Sequence, residues 1–369
     1  MKYGLLYGFA LLICTVASCD VSGRHAGETG VDSLAAALEA SRIEQGIAGI
    51  VVVTLDSGRV TGEHALGFRS VGEAMTPATV FEAASLSKTV FAVIVHRLAR
   101  GGRLDLDEPL SRWPEATSIV NAGDPAGAES CAGAPFEQLN LPEPWLDTVT
   151  ARGLLAHYAG LSDEDTLGSG SAWRGRVGNF AYTELGVLLL QGLVECRMQR
   201  SLDRLAAELF TDAGMTESSF VWNRELAAAS ADGFAADGTV ARGMKRSGSA
   251  LANGTLLTTG PDFARFMLWL HSQPNLVAAV AAPQVEVSGA HPTLRWGTGV
   301  GVERVDSATY IWQWGTNWWF RSFFALDIDS GRGFVAFSND IEGYRLFEQV
   351  ATDALGVELA GLRYAKWHG

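Results

Sequence analysis

The sequence predicts a mixed α/β fold of the α+β type: one antiparallel β-sheet built from both chain ends and flanked by helices, with an all-helical lobe inserted between the two sets of strands. Two observations lead there. β-branched apolar runs bounded by turn residues lie near the N-terminus, Ile47 to Leu55 and Val60 to Phe68, and return near the C-terminus between Leu294 and Ser338. The stretch between them, Leu104 to about Pro283, carries helical periodicity with long loops. Strands at both ends with helices in the middle fit one shared sheet, and clefts form between such lobes.

The elements follow in order. Val31 to Gln45 carries Leu34, Leu38 and Ile43 at helical spacing. The two N-terminal apolar runs flank Asp56-Ser57-Gly58 and read as a hairpin. Phe81 to Ala84 leads into Ser85, and Lys88 to Arg100 is a helix stopped by Gly101-Gly102. Within the lobe, helices are expected at Thr150 to His157, Tyr182 to Gln199, Leu202 to Ala213 and Pro261 to Ser272, while Thr117 to Pro144 is a Gly-, Ala- and Pro-rich surface excursion. Strands are expected at Leu294 to Val302, Tyr310 to Trp314, Arg321 to Asp327 and Gly333 to Ser338, the last two joined through Asp329-Ser330-Gly331. A helix from Tyr344 to Leu355 closes the fold, so the folded unit is expected over residues 31–358, with residues 359–369 as a C-terminal tail.

The first residues read as a targeting segment. Lys2 supplies a positive charge, and Leu5 to Val16 is an apolar stretch too short to span a bilayer comfortably. Val16-Ala17-Ser18-Cys19 resembles a bacterial lipobox, which makes residues 1–18 a signal peptide, Cys19 a lipid anchor and residues 19–30 a tether on the periplasmic face of a membrane. An ordinary secretory peptide cleaved near Ala17 or Ser18 is the alternative. Of four cysteines, Cys131 and Cys196 would remain in an oxidising compartment, as a disulfide or as two free thiols.

The chain has 369 residues and a net charge of −13, an acidity that gives nucleic-acid binding no electrostatic footing. Seven histidines show neither HExxH nor HxxxH pairing, so neither a metal nor any cofactor is expected.

Ser85-Leu86-Ser87-Lys88 is an S-x-x-K. A serine hydroxyl needs a base within hydrogen-bond reach, and residues three apart share a helical face, so the Lys88 amine can meet the Ser85 oxygen. A helix start also offers free N–H groups to a developing oxyanion. By itself the pattern equally describes a helix cap followed by a solvated lysine.

The surroundings sharpen it. Phe81 to Lys88 resembles the nucleophile segment of class C β-lactamases and related penicillin-binding proteins. Val149 to Leu161 resembles the helix and turn before the second motif of that family, and Phe180 to Gly186 resembles its Y-x-N segment. Gly214-Met215, Ser218 to Phe220 and Gly254 to Phe266 resemble later landmarks, and Trp312 to Phe324 stands where the family has its K-T-G-like strand. The resemblance implies a β-lactamase/transpeptidase-like fold and an acyl-enzyme on Ser85. It also implies that Tyr182, its phenol lowered by Lys88, shares the proton transfers. The oxyanion would sit between the backbone N–H groups of Ser85 and Thr316.

Two departures matter. The asparagine of Y-x-N is Glu184, which accepts hydrogen bonds where an amide would donate; it pairs with Lys88 or points to solvent. The third motif reads Gln313-Trp314-Gly315, with Gln313 in place of the Lys or His that helps hold a substrate carboxylate, unless Arg321 compensates from the next strand. Trp312, Trp314, Trp318 and Trp319 crowd the region, the first pair as sheet packing and the second as a pocket wall. The expected substrate is therefore a small ester or related acyl compound. A D-amino-acid peptide or β-lactam, or a non-catalytic cell-wall-binding lipoprotein on the same fold, is the alternative. The sequence leaves the oligomeric state undetermined.

Overall fold

The computed structural model describes residues 28–116, 141, 144–163, 176–243, 247–287, 289 and 291–368. The targeting segment, most of the excursion with Cys131, and the tether up to residue 27 lie outside them.

The sheet has nine strands in the order β3-β2-β1-β13-β12-β11-β10-β9-β8. Three come from the N-terminal end: β1 (Gly49–Asp56), β2 (Arg59–Ser70) and β3 (Glu73–Ala74). Six come from the C-terminal end: β8 (Val285–Glu286), β9 (Leu294–Trp296), β10 (Gly301–Val305), β11 (Ala308–Thr316), β12 (Arg321–Asp327) and β13 (Gly333–Ser338). β1 joins the two sets by pairing antiparallel with β13, Val52 opposite Ala336. The expected architecture is therefore the observed one. Two small ribbons lie apart, β4 (Phe81–Glu82) with β7 (Leu257–Thr258), and β5 (Asp232–Phe234) with β6 (Val240–Gly243).

Helices cover both faces. α1 (Glu28–Gln45), α10 (Tyr344–Leu355) and α11 (Ala360–His368) pack on one face, around Ile50, Val52, Phe323, Ala325, Phe334 and Ala336. The other face presents Val51, Val53, Phe324, Leu326, Val335 and Phe337 to α2 (Leu86–Arg100), α8 (Gly260–His271) and the rest of the larger core. The lobe adds α3 (Trp145–Thr148), α4 (Ala151–Leu155), α5 (Glu184–Met198), α6 (Leu202–Ala213) and α7 (Arg224–Ala227), with α9 (Pro274–Ala281) leading back to the sheet. Successive strand residues point to opposite faces, and both faces are buried, so these strands read as unbroken apolar runs.

Two expectations need correction. Leu294 to Val302 is two strands rather than one, broken at Gly297-Thr298-Gly299. Gly299 takes φ +75° there, and a Cβ on it would lie 2.4 Å from Ala92 Cβ and 3.0 Å from the Lys88 carbonyl oxygen. The hairpin tip is thus pressed against α2, and Thr89 Oγ1 donates to the Gly299 carbonyl at 2.8 Å. The supposed tail of residues 359–369 contains α11. Its start is held by Glu303, whose carboxylate accepts from the N–H groups of Ala360 (2.8 Å) and Gly361 (2.9 Å). Leu362 and Ala365 are buried beneath it.

Candidate active site

Ser85 stands at the start of α2, a helix buried on every side from Leu86 to His96. A helix buried over its first three turns belongs in a core, which makes it a rigid base for a reacting group. The chain enters it through Ala84, which takes φ +48°, a left-handed conformation unusual for a residue with a Cβ. The approach is clamped on both sides. Ala83 N–H donates to the Leu256 carbonyl at 2.8 Å, and Ser322 Oγ donates to the Ala83 carbonyl at 2.9 Å. A Cβ on Gly315 would fall 2.3 Å from that same carbonyl oxygen. Only glycine lets β11 come this close to the segment that leads into the serine.

Lys88 lies one turn along, 1% exposed. Its Nζ donates to Ser85 Oγ at 2.8 Å and to the Asn253 carbonyl at 2.7 Å, and lies 3.8 Å from Glu184 Oε1. Burial brings its pKa down to about 8, opposed by the negative charges of Glu184 and Asp163. Near neutral pH a useful fraction of this amine is therefore free base, already bonded to the hydroxyl it would deprotonate.

Tyr182 precedes α5 and sits in an aromatic box. Its ring centroid is 4.6 Å from that of Trp314, 4.5 Å from His157 and 5.6 Å from Trp296. Lys88 Nζ is 5.2 Å from the ring centre. Burial raises the phenol above its ordinary value; the Ser85 hydroxyl counteracts this and the Glu184 charge adds to it. The phenol therefore stays protonated, its pKa raised where the resemblance implies one lowered by Lys88. Its hydroxyl is buried without a well-formed hydrogen bond among the described residues. His157, at φ +56°, is also neutral, its pKa lowered to about 3 by burial and then by Lys88.

Asp163 orders this side of the site. It accepts from Thr183 Oγ1 (2.7 Å), Glu184 N–H (2.7 Å) and Leu185 N–H (3.1 Å), closing the first turn of α5. Glu184 Oε2 accepts from Asn253 Nδ2 at 2.9 Å, and the Glu184 side chain is 55% exposed. Asp163 and Asn253 were missed in the sequence because both act across space, from loops with no periodic signal.

Gln313 is not the third-motif side chain that meets Tyr182. Gln313 is fully buried, and its Oε1 accepts from the Trp314 N–H at 3.0 Å. Trp314, not Gln313, lies against Tyr182. Arg321 is tied to its own turn, its Nη1 donating to the Asn317 and Phe320 carbonyls at 2.8 and 3.0 Å. Trp319 packs on Gly233, where a Cβ would meet it at 2.3 Å, so it joins the β5–β6 ribbon to the sheet; Trp318 is 81% exposed.

The backbone of β11 bears on the oxyanion position expected between Ser85 and Thr316. Ile328 N–H donates to the Thr309 carbonyl and Asn317 N–H to the Phe320 carbonyl, so odd-numbered residues of this strand face β12. Even-numbered ones face the opposite edge, left open beyond the Gly301–Trp312 pair. The Thr316 N–H thus points to the open edge beside α2. The Ser85 N–H has no acceptor among the described residues.

A family model described as Beta-lactamase matches residues 31–355. Solved structures share the fold at low identity. A D-alanine carboxypeptidase AmpC from Burkholderia cenocepacia is 18% identical over 89% of this chain and 98% of its own, with a TM-score of 0.68. The octameric penicillin-binding protein homologue from Pyrococcus abyssi is 17% identical over 89% and 78%, with a TM-score of 0.71. A D-amino acid amidase from Ochrobactrum anthropi SV3 is 17% identical over 84% and 91%, with a TM-score of 0.64. No curated protein sequence matches the chain.

Proposed function

The chain belongs to the β-lactamase family of serine hydrolases, and on that premise we propose that it hydrolyses small esters or amides lacking a carboxylate beside the scissile bond, through an acyl-enzyme on Ser85. The observation that carries this is the 2.8 Å bond from the buried Lys88 amine to Ser85 Oγ, with the lysine pKa near 8. In the proposed cycle neutral Lys88 takes the Ser85 proton as Oγ bonds to the substrate carbonyl carbon. The oxyanion rests on the N–H groups of Ser85 and Thr316. Protonated Tyr182 gives its hydroxyl proton to the leaving oxygen or nitrogen and recovers one from Lys88. Water then attacks the acyl-enzyme by the reverse route and releases the acid.

Trp314 in place of a cation is what turns the reading away from carboxylate-bearing penicillins. The proposal extends to location: an exported chain anchored through lipidated Cys19. Cys196 is disulfide-bonded, and this supports an oxidising compartment.

The test is covalent. A fluorophosphonate and a fluorescent penicillin are each incubated with the protein and the adduct is located by mass spectrometry. Labelling at Ser85 by the fluorophosphonate alone is expected. Labelling by both would return β-lactams to the substrate list, and labelling by neither would point to a binding module.

A further inference from the structure

The groups around the nucleophile have an acceptor surplus that the acyl chemistry does not use. Glu184 presents a half-exposed carboxylate, with one oxygen on Asn253 Nδ2 at 2.9 Å and the other 3.8 Å from Lys88. Because Nδ2 is committed to Glu184, the other amide atom of Asn253 is its oxygen, an acceptor only. That Oδ1 is buried and has no donor among the described residues. Beside them stands the Tyr182–Trp314 pair, two π-faces with ring centroids 4.6 Å apart. Among the described residues the cation bonded at the centre is Lys88, which is 1% exposed and already held by Ser85 and Asn253. The positive end of α5 is closed by Asp163.

A carbonyl or carboxylate arriving here would meet acceptors. An ammonium would find a charge partner, an amide oxygen short of a donor, and aromatic faces that favour cations. The spacing also selects which ammonium. Glu184 is one 3.8 Å contact from Lys88, and Lys88 one 2.8 Å bond from the attacking oxygen. An α-ammonium lies two bonds from the acyl carbon that this oxygen attacks, so it can reach both partners from a single pose.

We propose that Glu184 and Asn253 form an ammonium-binding subsite, and that the substrate is an α-aminoacyl ester or amide with its amino group free, short peptides attacked at their N-terminal residue included. This rests on the acyl-hydrolase reading above.

The test compares alanine p-nitroanilide, in both enantiomers, with the N-acetylated compounds. The readout is the ratio of kcat/KM, free amine over acetylated. The charged groups facing Glu184 are Lys88 and Asp163, with the Tyr182 phenol beside them; their titration acts on both substrates and cancels in the ratio. In the wild type the ratio for the preferred enantiomer should exceed about tenfold at pH 7, the worth of one charge-assisted hydrogen bond. It should fall as pH rises through about 8, where the substrate ammonium loses its proton. Glu184→Gln should cut the ratio by about tenfold, whatever it does to either rate. Asn253→Ala should cut it less.

A wild-type ratio near one, or a ratio indifferent to Glu184→Gln, overturns the subsite while fluorophosphonate labelling of Ser85 leaves the hydrolase standing. No turnover of any of these anilides together with no labelling overturns both.

Discussion

Replacing Glu184 with Gln should make Lys88 a better base on a neutral ester near pH 7. The substitution keeps an oxygen for Asn253 and removes only the charge. Two unit charges 4 Å apart interact by about 1 kcal/mol in water and about 4 kcal/mol at an effective dielectric of 20. The pair is 3.8 Å apart, with Lys88 buried and Glu184 half exposed, so solvent screening places the interaction toward the lower figure. A value of roughly 1.4 kcal/mol corresponds to about one pKa unit. The sign follows from Glu184 favouring the charged amine: without it the Lys88 pKa falls from about 8 towards about 7. Free-base Lys88 at pH 7 then grows from about a tenth of the enzyme to about half, a gain of about fivefold in kcat/KM. The assay is a pH series from 5 to 10 with p-nitrophenyl butyrate, corrected for spontaneous hydrolysis. An acid limb that stays in place, or moves upward, would refute Lys88 as the base that Glu184 tunes.

Three further outcomes follow from the same geometry. Lys88→Met should abolish acylation yet stabilise the fold near neutrality: a pKa of about 8 against about 10.4 when unfolded costs about 3 kcal/mol below pH 8, offset in part by the bonds to Ser85 and Asn253. Since the native lysine sheds its proton first, wild-type stability should rise between about pH 8 and 10.5 while the variant stays flat, as read by urea denaturation; a variant less stable than wild type at pH 7 contradicts this. Gly299→Ala should cost roughly 2–4 kcal/mol, through the positive φ and the 2.4 Å clash with Ala92, and should lower kcat by shifting α2. A variant with unaltered urea midpoint and turnover would show that the hairpin tip is not a strut. Glu303→Ala should cost about 1–3 kcal/mol by leaving two buried N–H groups of α11 unpaired, with early proteolytic loss of the C-terminal helix as the check.

How much of this was legible beforehand depended on whether the signal was local. The two-ended sheet was readable because β-branched runs such as Ile50 to Val53 and Phe334 to Phe337 identify strands wherever they pair. The break at Gly297-Thr298-Gly299 was not, because the turn exists to fit against Ala92 and Lys88, residues two hundred positions earlier in the chain. α11 went unseen although Leu359, Leu362 and Ala365 carry a helical spacing: the carboxylate that starts it belongs to Glu303 on β10. That Trp314 rather than Gln313 meets Tyr182 has a different cause. In a strand, neighbouring side chains point to opposite faces, so assigning the substrate-facing position to Gln313 or to Trp314 requires knowing which face meets Tyr182.

The sequence by itself determined that Ser85 and Lys88 meet, because residues three apart on a helix must share a face whatever surrounds them. It also determined the family and the sheet. Only the tertiary structure decided which group can act as the base and what charge the mouth of the site carries. Burial lowers Lys88 and raises Tyr182, while Glu184, Asp163 and Asn253 reach the lysine from separate segments. A pKa is the sum of desolvation and of every nearby charge, and those are set by what the fold brings together.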